Sequence, residues 1–204
     1  MSIKRIDKTT ETDRSKRQFP GAVCVVEREG RIIHRKAYGT TMYDDPGSKP
    51  VTLDTIYDVA SITKVFTTTA ILRLVDQGDL HLDGRLSLYF PEFDTPTKRT
   101  ITIRDLLSHR AGLDLVSSSL RALPAPAIRK RMLEAEPNPK IAGWDWYTNI
   151  HFAILGFLLE KVGDRPLDQM VRLLVLEPLG LVDTLYRPPK TLRPRTAPSE
   201  IDRA

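Results

Sequence analysis

The hydrophobic and polar positions near the start of the chain form two apolar-rich runs separated by a turn, which predict a two-stranded hairpin. Residues 22–27 and 31–38 are two runs rich in β-branched and other apolar side chains, which fit a pleated strand. Glu29-Gly30 stands between them, and a glycine at this place is typical of a tight hairpin turn. Residues 1–19 are charged and predict a lead-in, with a short helix as one option. Residues 40–55 are rich in Gly, Pro and Asp and predict a loop.

Two long apolar segments predict helices. The first follows Ser61, and its apolar residues cover most of a helical circumference, which predicts a central helix buried nearly all round and ending at Gly78. These apolar residues are Val65, Phe66, Ala70, Ile71, Leu72, Leu74 and Val75. The second segment, residues 149–162, is also strongly apolar and ends at Gly163. Pro166 then starts a further amphipathic helix.

A shorter helix is predicted between these two segments. Thr102 is followed three residues later by Asp105, which resembles a capping box for a short helix that Gly112 closes. A hairpin followed by several helices is an α+β pattern with few strands. Two strands alone form a marginal sheet with open edges. The hairpin therefore needs further strands or packed helices, and this chain supplies only helices.

Composition narrows the class of protein. The 204 residues suffice for one domain or a large part of a bigger one, and 41% hydrophobic with 28% charged residues is typical of a soluble globular protein. The apolar runs are shorter than the roughly 18–20 residues that span a bilayer. The start lacks the apolar region of a secretory signal, so a cytoplasmic location is expected. The single cysteine, Cys24, lies in an apolar run, which favours a buried structural thiol.

The formal net charge of +5 raises the question of a nucleic-acid partner. Acidic residues are interleaved with the basic ones and no aromatic stacking pattern accompanies them, so we expect no nucleic-acid binding. The four histidines are scattered along the chain without metal-ligand spacing, so no metal site is expected. They are His34, His81, His109 and His151. For His109, the sequence favours a structural hydrogen bond over catalysis.

Ser61 and Lys64 are the first candidates for chemistry. Ser61 is the only one of ten serines with a lysine three residues later. Residues i and i+3 lie on one face of a helix, so a lysine kept neutral in a dry pocket could take the serine proton. The N-terminus of the helix would favour the oxyanion that then develops. The alternative is a serine in a first helical turn with an extended surface lysine, and the spacing alone favours that alternative.

Tyr147 and Asn149 stand directly before the second apolar helix. In one interpretation Asn149 caps that helix and Tyr147 is a packing residue. In the other, the Tyr147 phenol shuttles a proton beside a cation and the Asn149 amide holds the lysine or a substrate. Trp144 and Trp146 flank this pair, either as core residues or as the rim of a pocket.

Several segments, taken in order, resemble the serine β-lactamase-like superfamily of class C β-lactamases, D-alanyl-D-alanine carboxypeptidases and related esterases. SITK at residues 61–64 matches the S-x-x-K motif of that family, and YTN at residues 147–149 matches its Y-x-N motif. LLSHRAGL is similar to the family's LLxHxSGL, with Ala111 in place of serine. PGAVCVVEREGRIIHRKAYG is similar to its N-terminal hairpin, and EPLGLVDT to its EPLGM-x-DT segment.

The resemblance implies a fold and a domain organisation. The fold would be an α+β, β-lactamase/transpeptidase-like one, in which the hairpin belongs to a central antiparallel sheet whose C-terminal strands and helix are missing here. Residues 19–186 would form a partial serine hydrolase domain. They would follow a charged lead-in of residues 1–18 and precede a Pro/Arg-rich tail of residues 187–204.

The resemblance also implies a reaction. Ser61 would attack an ester or amide carbonyl, with β-lactams and D-Ala-D-Ala-like peptides among the substrates, and an acyl-enzyme would then be hydrolysed by water. Lys64 and Tyr147 would share the role of general base, and Asn149 would position groups around Lys64 and the acyl side chain. Neither a metal nor an organic cofactor is needed.

The chain departs from the family pattern at the third motif, a K/H-x-G sequence on a strand. No match follows Tyr147, because Leu192 comes after Lys190-Thr191 where the glycine should stand. That strand supplies the second donor to the oxyanion, and losing one donor costs on the order of 10²–10³ in turnover. We therefore expect a fragment, a truncated reading frame or a degenerate paralogue with reduced activity. The alternative is an inactive remnant that binds a ligand or a partner, or self-associates through the exposed hairpin edge.

Overall fold

The computed structural model describes residues 3–115 and 117–199, and these residues gather into two units. Residues 3–60 and 187–199 form the first unit. The second unit is Ser61–Tyr186. The division of the chain at residues 18 and 186 stays a prediction.

The first unit contains the predicted hairpin. Strands β1 (Gly21–Arg28) and β2 (Arg31–Gly39) pair in antiparallel fashion, with an irregularity in register after Val26. Glu29 and Gly30 between them have φ values of 53° and 74°, because a two-residue turn that matches the strand twist needs positive φ. The hairpin prediction is confirmed to within a residue or two at each end.

The charged lead-in forms helix α1 (Ile3–Ser15), and polar contacts attach this helix to β2. The Asp7 carboxylate accepts hydrogen bonds from the Tyr38 hydroxyl at 2.6 Å and from Lys36 Nζ at 3.0 Å. These two partners lower the pKa of Asp7. Burial, together with the Asp7 carboxylate, raises the pKa of Tyr38 to about 12. His34 is the last member of this side-chain hydrogen-bond network, and its Nε2 lies 2.9 Å from the Tyr38 oxygen.

Residues 187–199 belong to the first unit through backbone pairing. The Ile56 N–H donates to the Arg195 carbonyl at 2.7 Å, and the Ala197 N–H donates to the Ile56 carbonyl at 2.8 Å. A 3₁₀ turn, Lys190–Arg195, precedes this pairing. The Pro/Arg-rich segment thus takes part in backbone hydrogen bonding although it shows no apolar periodicity.

The second unit is helical and holds the main hydrophobic core. Helix α5 contacts each of the other four helices of this unit. Its Ile154, Leu155, Leu158 and Leu159 side chains are fully buried, and each such burial contributes roughly 1.5–3 kcal/mol of transfer free energy. The helices of the unit are α2 (Thr63–Asp76), α3 (Ile103–Leu107), α4 (Ala125–Leu133), α5 (Asn149–Gly163) and α6 (Leu167–Val171), with a π-helical turn at Arg172–Leu176.

Helix α2 is less buried than its composition predicts. Its buried residues form one stripe, Thr67, Ala70, Ile71 and Leu74. Val65 is 60% exposed and Leu72 is 44% exposed. The expectation of a helix buried all round is therefore wrong for α2 among the described residues, because only one face packs on α5 and the segment that follows α6.

The capping box predicted for the short helix is confirmed. The Thr102 hydroxyl accepts from the Asp105 N–H at 3.2 Å, and the Asp105 carboxylate accepts from the Thr102 N–H at 2.9 Å. The helix itself, α3, ends at Leu107 and not at Gly112. The chain first turns at His109, whose φ is 59°.

Across the two described ranges, no helix combines the length and the apolar character needed to cross a membrane.

Candidate active site

Ser61 and Lys64 meet at the start of α2. Ser61 lies in a 3₁₀ turn, Ala60–Ile62, that leads directly into the helix. Lys64 Nζ donates to Ser61 Oγ at 3.2 Å, as the i, i+3 spacing predicts. Ala60, the residue before Ser61, has a φ of 44°, and non-glycine backbone strain of this kind concentrates at functional sites.

Tyr147 and Asn149 reach the same pair from 83 or more positions further along the chain. The Tyr147 hydroxyl lies 2.7 Å from Ser61 Oγ, and Lys64 Nζ donates to Asn149 Oδ1 at 2.8 Å. The structure thus brings all four sequence-predicted residues together. Ser61 Oγ has two polar neighbours, one phenol and one amine.

The cap of α5 is Thr148 and not Asn149. The Thr148 side chain accepts from the Ile150 N–H at 3.5 Å. Asn149 is already the first residue of the helix, and its amide oxygen is engaged by Lys64. The interpretation of Asn149 as a capping residue is therefore wrong, and Thr148 leaves Asn149 available to the site.

The loop that carries Tyr147 is anchored on the turn after α3. The Gly143 N–H donates to the Arg110 carbonyl at 2.8 Å, and the Asn138 N–H donates to the Gly112 carbonyl at 3.0 Å. Gly112 has a φ of 71°, and a Cβ on it would lie 2.7 Å from the Cβ of Ala142. Both the positive φ and the close approach therefore require glycine here.

A cation sits beside the phenol of Tyr147. Lys64 Nζ lies 4.8 Å from the centre of the Tyr147 ring and 5.8 Å from that of Phe152. Hydrogen bonding with Lys64 and then with Ser61 lowers the pKa of Tyr147. These hydrogen bonds thus stabilise the ionised form of Tyr147 relative to that of an ordinary tyrosine.

In the described part of the chain, most of the side chains that form the site are exposed to solvent. Ser61 and Asn149 are exposed, Tyr147 is 60% exposed, and Lys64 is half-buried. The expectation of a dry pocket around the lysine is not met within the described part of the chain. Trp144 and Trp146 are 73% and 45% exposed, which places them outside the core.

Two histidines that seemed scattered along the sequence lie together beside the site. His109 Nδ1 and His151 Nδ1 are 3.3 Å apart. The His109 ring centre lies 4.8 Å from that of Tyr147, and His151 is fully buried. The description of all four histidines as scattered is wrong for this pair. A sequence signal existed, because His151 follows Asn149 by two residues and His109 belongs to the LLSHRAGL segment.

His34, His81 and Cys24 are the other candidate groups of the sequence. His34 pairs with Tyr38 in the first unit, and His81 is exposed. Cys24 is half-buried and not fully buried as its apolar neighbours predict. In residues 3–115 and 117–199, no three His, Cys, Asp or Glu side chains are grouped so that they could hold a metal ion.

Comparisons with known proteins identify the family to which the chain belongs. A sequence model of the Beta-lactamase family matches residues 6–203. An Escherichia coli K12 protein provisionally named D-alanyl-D-alanine carboxypeptidase is 31% identical over 194 residues, which cover 83% of this chain and 44% of that protein. The esterase EstB of Burkholderia gladioli is 30% identical over 198 residues, with coverage of 88% and 50%. The chain thus spans about half the length of the curated relatives it matches.

The likeness extends to solved structures. A class C β-lactamase in complex with cefoxitin superposes with a TM-score of 0.83 at 22% identity, over 95% of this chain and 54% of that one. An identity this low shows the fold alone, which is β-lactamase/transpeptidase-like. The family match covers nearly the whole sequence, from before the hairpin to beyond the second unit. The chain therefore belongs to the Beta-lactamase family.

Proposed function

We propose that this chain carries the nucleophile and the proton-transfer groups of a serine hydrolase that works through an acyl-enzyme on Ser61. The observation that carries the proposal is the double contact of Ser61 Oγ, at 2.7 Å with the Tyr147 oxygen and at 3.2 Å with Lys64 Nζ. Both distances lie within the reach that general-base catalysis requires. A serine with only a structural role does not need a tyrosine and a lysine at its oxygen.

Each residue of the site has a separate role in the proposed reaction. The phenolate of Tyr147 takes the Ser61 proton while Oγ attacks the carbonyl carbon, and the resulting phenol returns a proton to the leaving group. Lys64 stabilises the phenolate and the developing negative charge on Ser61. Asn149 accepts a hydrogen bond from Lys64 and so holds the amine in place. Water then attacks the acyl-enzyme by the same proton route, which restores Ser61.

Esters are the substrates that we propose first, with D-Ala-D-Ala-like peptides and β-lactams after them. The names of the relatives point to ester and peptide bonds. An ester has a better leaving group than an amide, so it depends less on a fully enclosed site.

A serine-directed fluorophosphonate probe tests the proposal. Wild-type chain is expected to be labelled, Ser61→Ala is expected to lose the label, and Tyr147→Phe is expected to be labelled more slowly by about 10²-fold or more. Ser15→Ala, which removes an exposed serine at the end of α1, serves as the matched control and should label like wild type. Equal labelling of wild type and Ser61→Ala would refute the proposal.

A second candidate function is association with another copy of the chain. Among the described residues β1 and β2 form a two-stranded sheet, in which the Val51 N–H also donates to the Gly39 carbonyl at the end of β2. Val25, Ile32 and Ile33 are exposed on its faces. Open strand edges flanked by exposed apolar side chains favour strand addition. Sedimentation velocity should show a concentration-dependent dimer that Ile32→Lys weakens, whereas a monomer at all concentrations would argue against this candidate.

A further inference from the structure

His109 holds the chain on both sides of Tyr147, through its backbone carbonyl on one side and its imidazole ring on the other. The Trp146 N–H donates to the His109 carbonyl at 3.0 Å, and the Thr148 N–H donates to His109 Nδ1 at 3.4 Å. The His109 ring also packs on the Tyr147 ring, with the two centres 4.8 Å apart. Tyr147 therefore has a contact with His109 through its side chain and through each neighbouring peptide.

Residues of helix α5 pack against His109 and support it. Its φ of 59° lies in the left-handed region, where a non-glycine residue persists only if its surroundings hold it. His151 on α5 lies under it, with the two Nδ1 atoms 3.3 Å apart, and the Phe152 ring centre lies 5.2 Å from that of His109. His151 is fully buried, so the support comes from the helix at the centre of the core.

The directions of these hydrogen bonds determine where the ring protons sit. His109 Nδ1 accepts the Thr148 N–H, so this nitrogen carries no proton. A hydrogen bond across the 3.3 Å contact then requires His151 Nδ1 as the donor, and the two donors share the single in-plane lone pair of His109 Nδ1. His151 Nε2 is left without a proton, and this atom is buried with no hydrogen-bond partner among the described residues. Only this pair of neutral tautomers satisfies both contacts.

We propose that His109 and His151 are positioning residues that fix the Tyr147 phenol against Ser61, and that they do so only while both imidazoles are neutral. A proton on His109 Nδ1 would remove the acceptor of both the Thr148 N–H and the His151 Nδ1–H. A proton on His151 Nε2 would place an unpaired cation in the core. Either change weakens the contacts that hold Tyr147 in place, while the backbone hydrogen bonds to the Arg110, Gly112 and His109 carbonyls remain.

The surroundings favour the neutral forms. The titratable groups that act on the His109 ring are Lys64 from α2, Tyr147 from the preceding loop and His151 from α5. Burial, and then the positive charge of Lys64, lowers the pKa of His109. Burial, and then His109, lowers the pKa of His151 to about 4. At neutral pH the pair therefore keeps its acceptor nitrogen available.

This inference rests on the proposed function of Tyr147, but its test does not need turnover. Long-range ¹⁵N–¹H NMR of the full chain should show a proton on His109 Nε2 and on His151 Nδ1, with both rings neutral at pH 7. A proton on His109 Nδ1 would overturn the proposal. An unreactive Ser61 would count against the hydrolase alone and would leave this NMR result as it stands.

A variant series measures the effect on Tyr147. With ¹³Cζ-labelled tyrosine, His109→Ala should raise the pKa of Tyr147 back towards its ordinary value, because the phenol leaves Lys64 and Ser61. His109→Asn should restore most of the wild-type pKa, since asparagine tolerates positive φ and its amide oxygen can accept the Thr148 N–H. His81→Asn, at an exposed loop residue, is the matched control.

The same variants have a kinetic signature. If an aryl ester is turned over, His109→Ala should lower kcat by on the order of 10²-fold with little change in KM, because a misplaced proton acceptor slows the chemical step and not binding. His109→Asn should recover most of kcat. An unchanged Tyr147 pKa in His109→Ala, or an equal loss in the Asn and Ala variants, would overturn the proposal.

Discussion

Acid should destabilise the second unit through His151. This imidazole is fully buried, and burial, followed by the influence of His109, lowers its pKa from 6.5 to about 4. Between these two pH values the unfolded chain binds a proton that the folded chain does not, so the free energy of unfolding falls as the pH is lowered from 6.5 to 4. One pKa unit corresponds to about 1.4 kcal/mol, so the loss attributable to His151 is at most about 3.5 kcal/mol.

Urea denaturation followed by far-UV circular dichroism, at a series of pH values from 4 to 7, measures this loss. His151→Asn cannot titrate in this range, and its amide N–H can still donate to His109. The variant should therefore lose most of the pH dependence that His151 contributes, whatever its stability at pH 7. His81→Asn, at an exposed histidine, is the matched control for the change of residue type. If His151→Asn shows the same slope as wild type, the reasoning about the buried imidazole is refuted.

Two further predictions concern the scaffold around the site. Thr102→Ala removes the hydroxyl of the capping box at the start of α3 and should lower the free energy of unfolding by about 1 kcal/mol; no change in the urea midpoint would contradict the energetic role of the box. Leu155→Ala truncates a fully buried side chain of α5 and should cost about 2–5 kcal/mol, whereas Val182→Ala, at a residue that is 82% exposed, should stay within about 0.5 kcal/mol of wild type.

Local sequence signals correctly predicted the features that depend on neighbouring residues. Glu29-Gly30 predicted the turn because two adjacent residues with positive φ suffice to reverse the chain. The capping box at Thr102 needs only two side chains three positions apart. Ser61 and Lys64 meet for the same reason, since one helical turn sets their separation.

Features that depend on distant partners were mispredicted or missed. The apolar residues of α2 lie on all sides of the helix, so their pattern does not indicate which face packs on α5. Val65 and Leu72 are therefore predicted to be buried, but both are exposed. Thr148 and Asn149 are equally good capping residues by type. Asn149 is occupied by Lys64, which is distant in sequence, and Thr148 caps the helix instead.

The α+β elements and the SITK pair follow from the amino-acid sequence alone, and resemblance adds the family and the expectation that Tyr147 and Asn149 complete a site. Each of these rests on short-range spacing or on a motif that can be read in order. The packing of the folded chain is needed to show that Ser61 Oγ contacts both Tyr147 and Lys64, and that His109 and His151 lie beside the tyrosine. Contacts between α2, α5 and the loops depend on packing across many tens of residues, and no local periodicity encodes which side chains that packing brings within hydrogen-bonding distance.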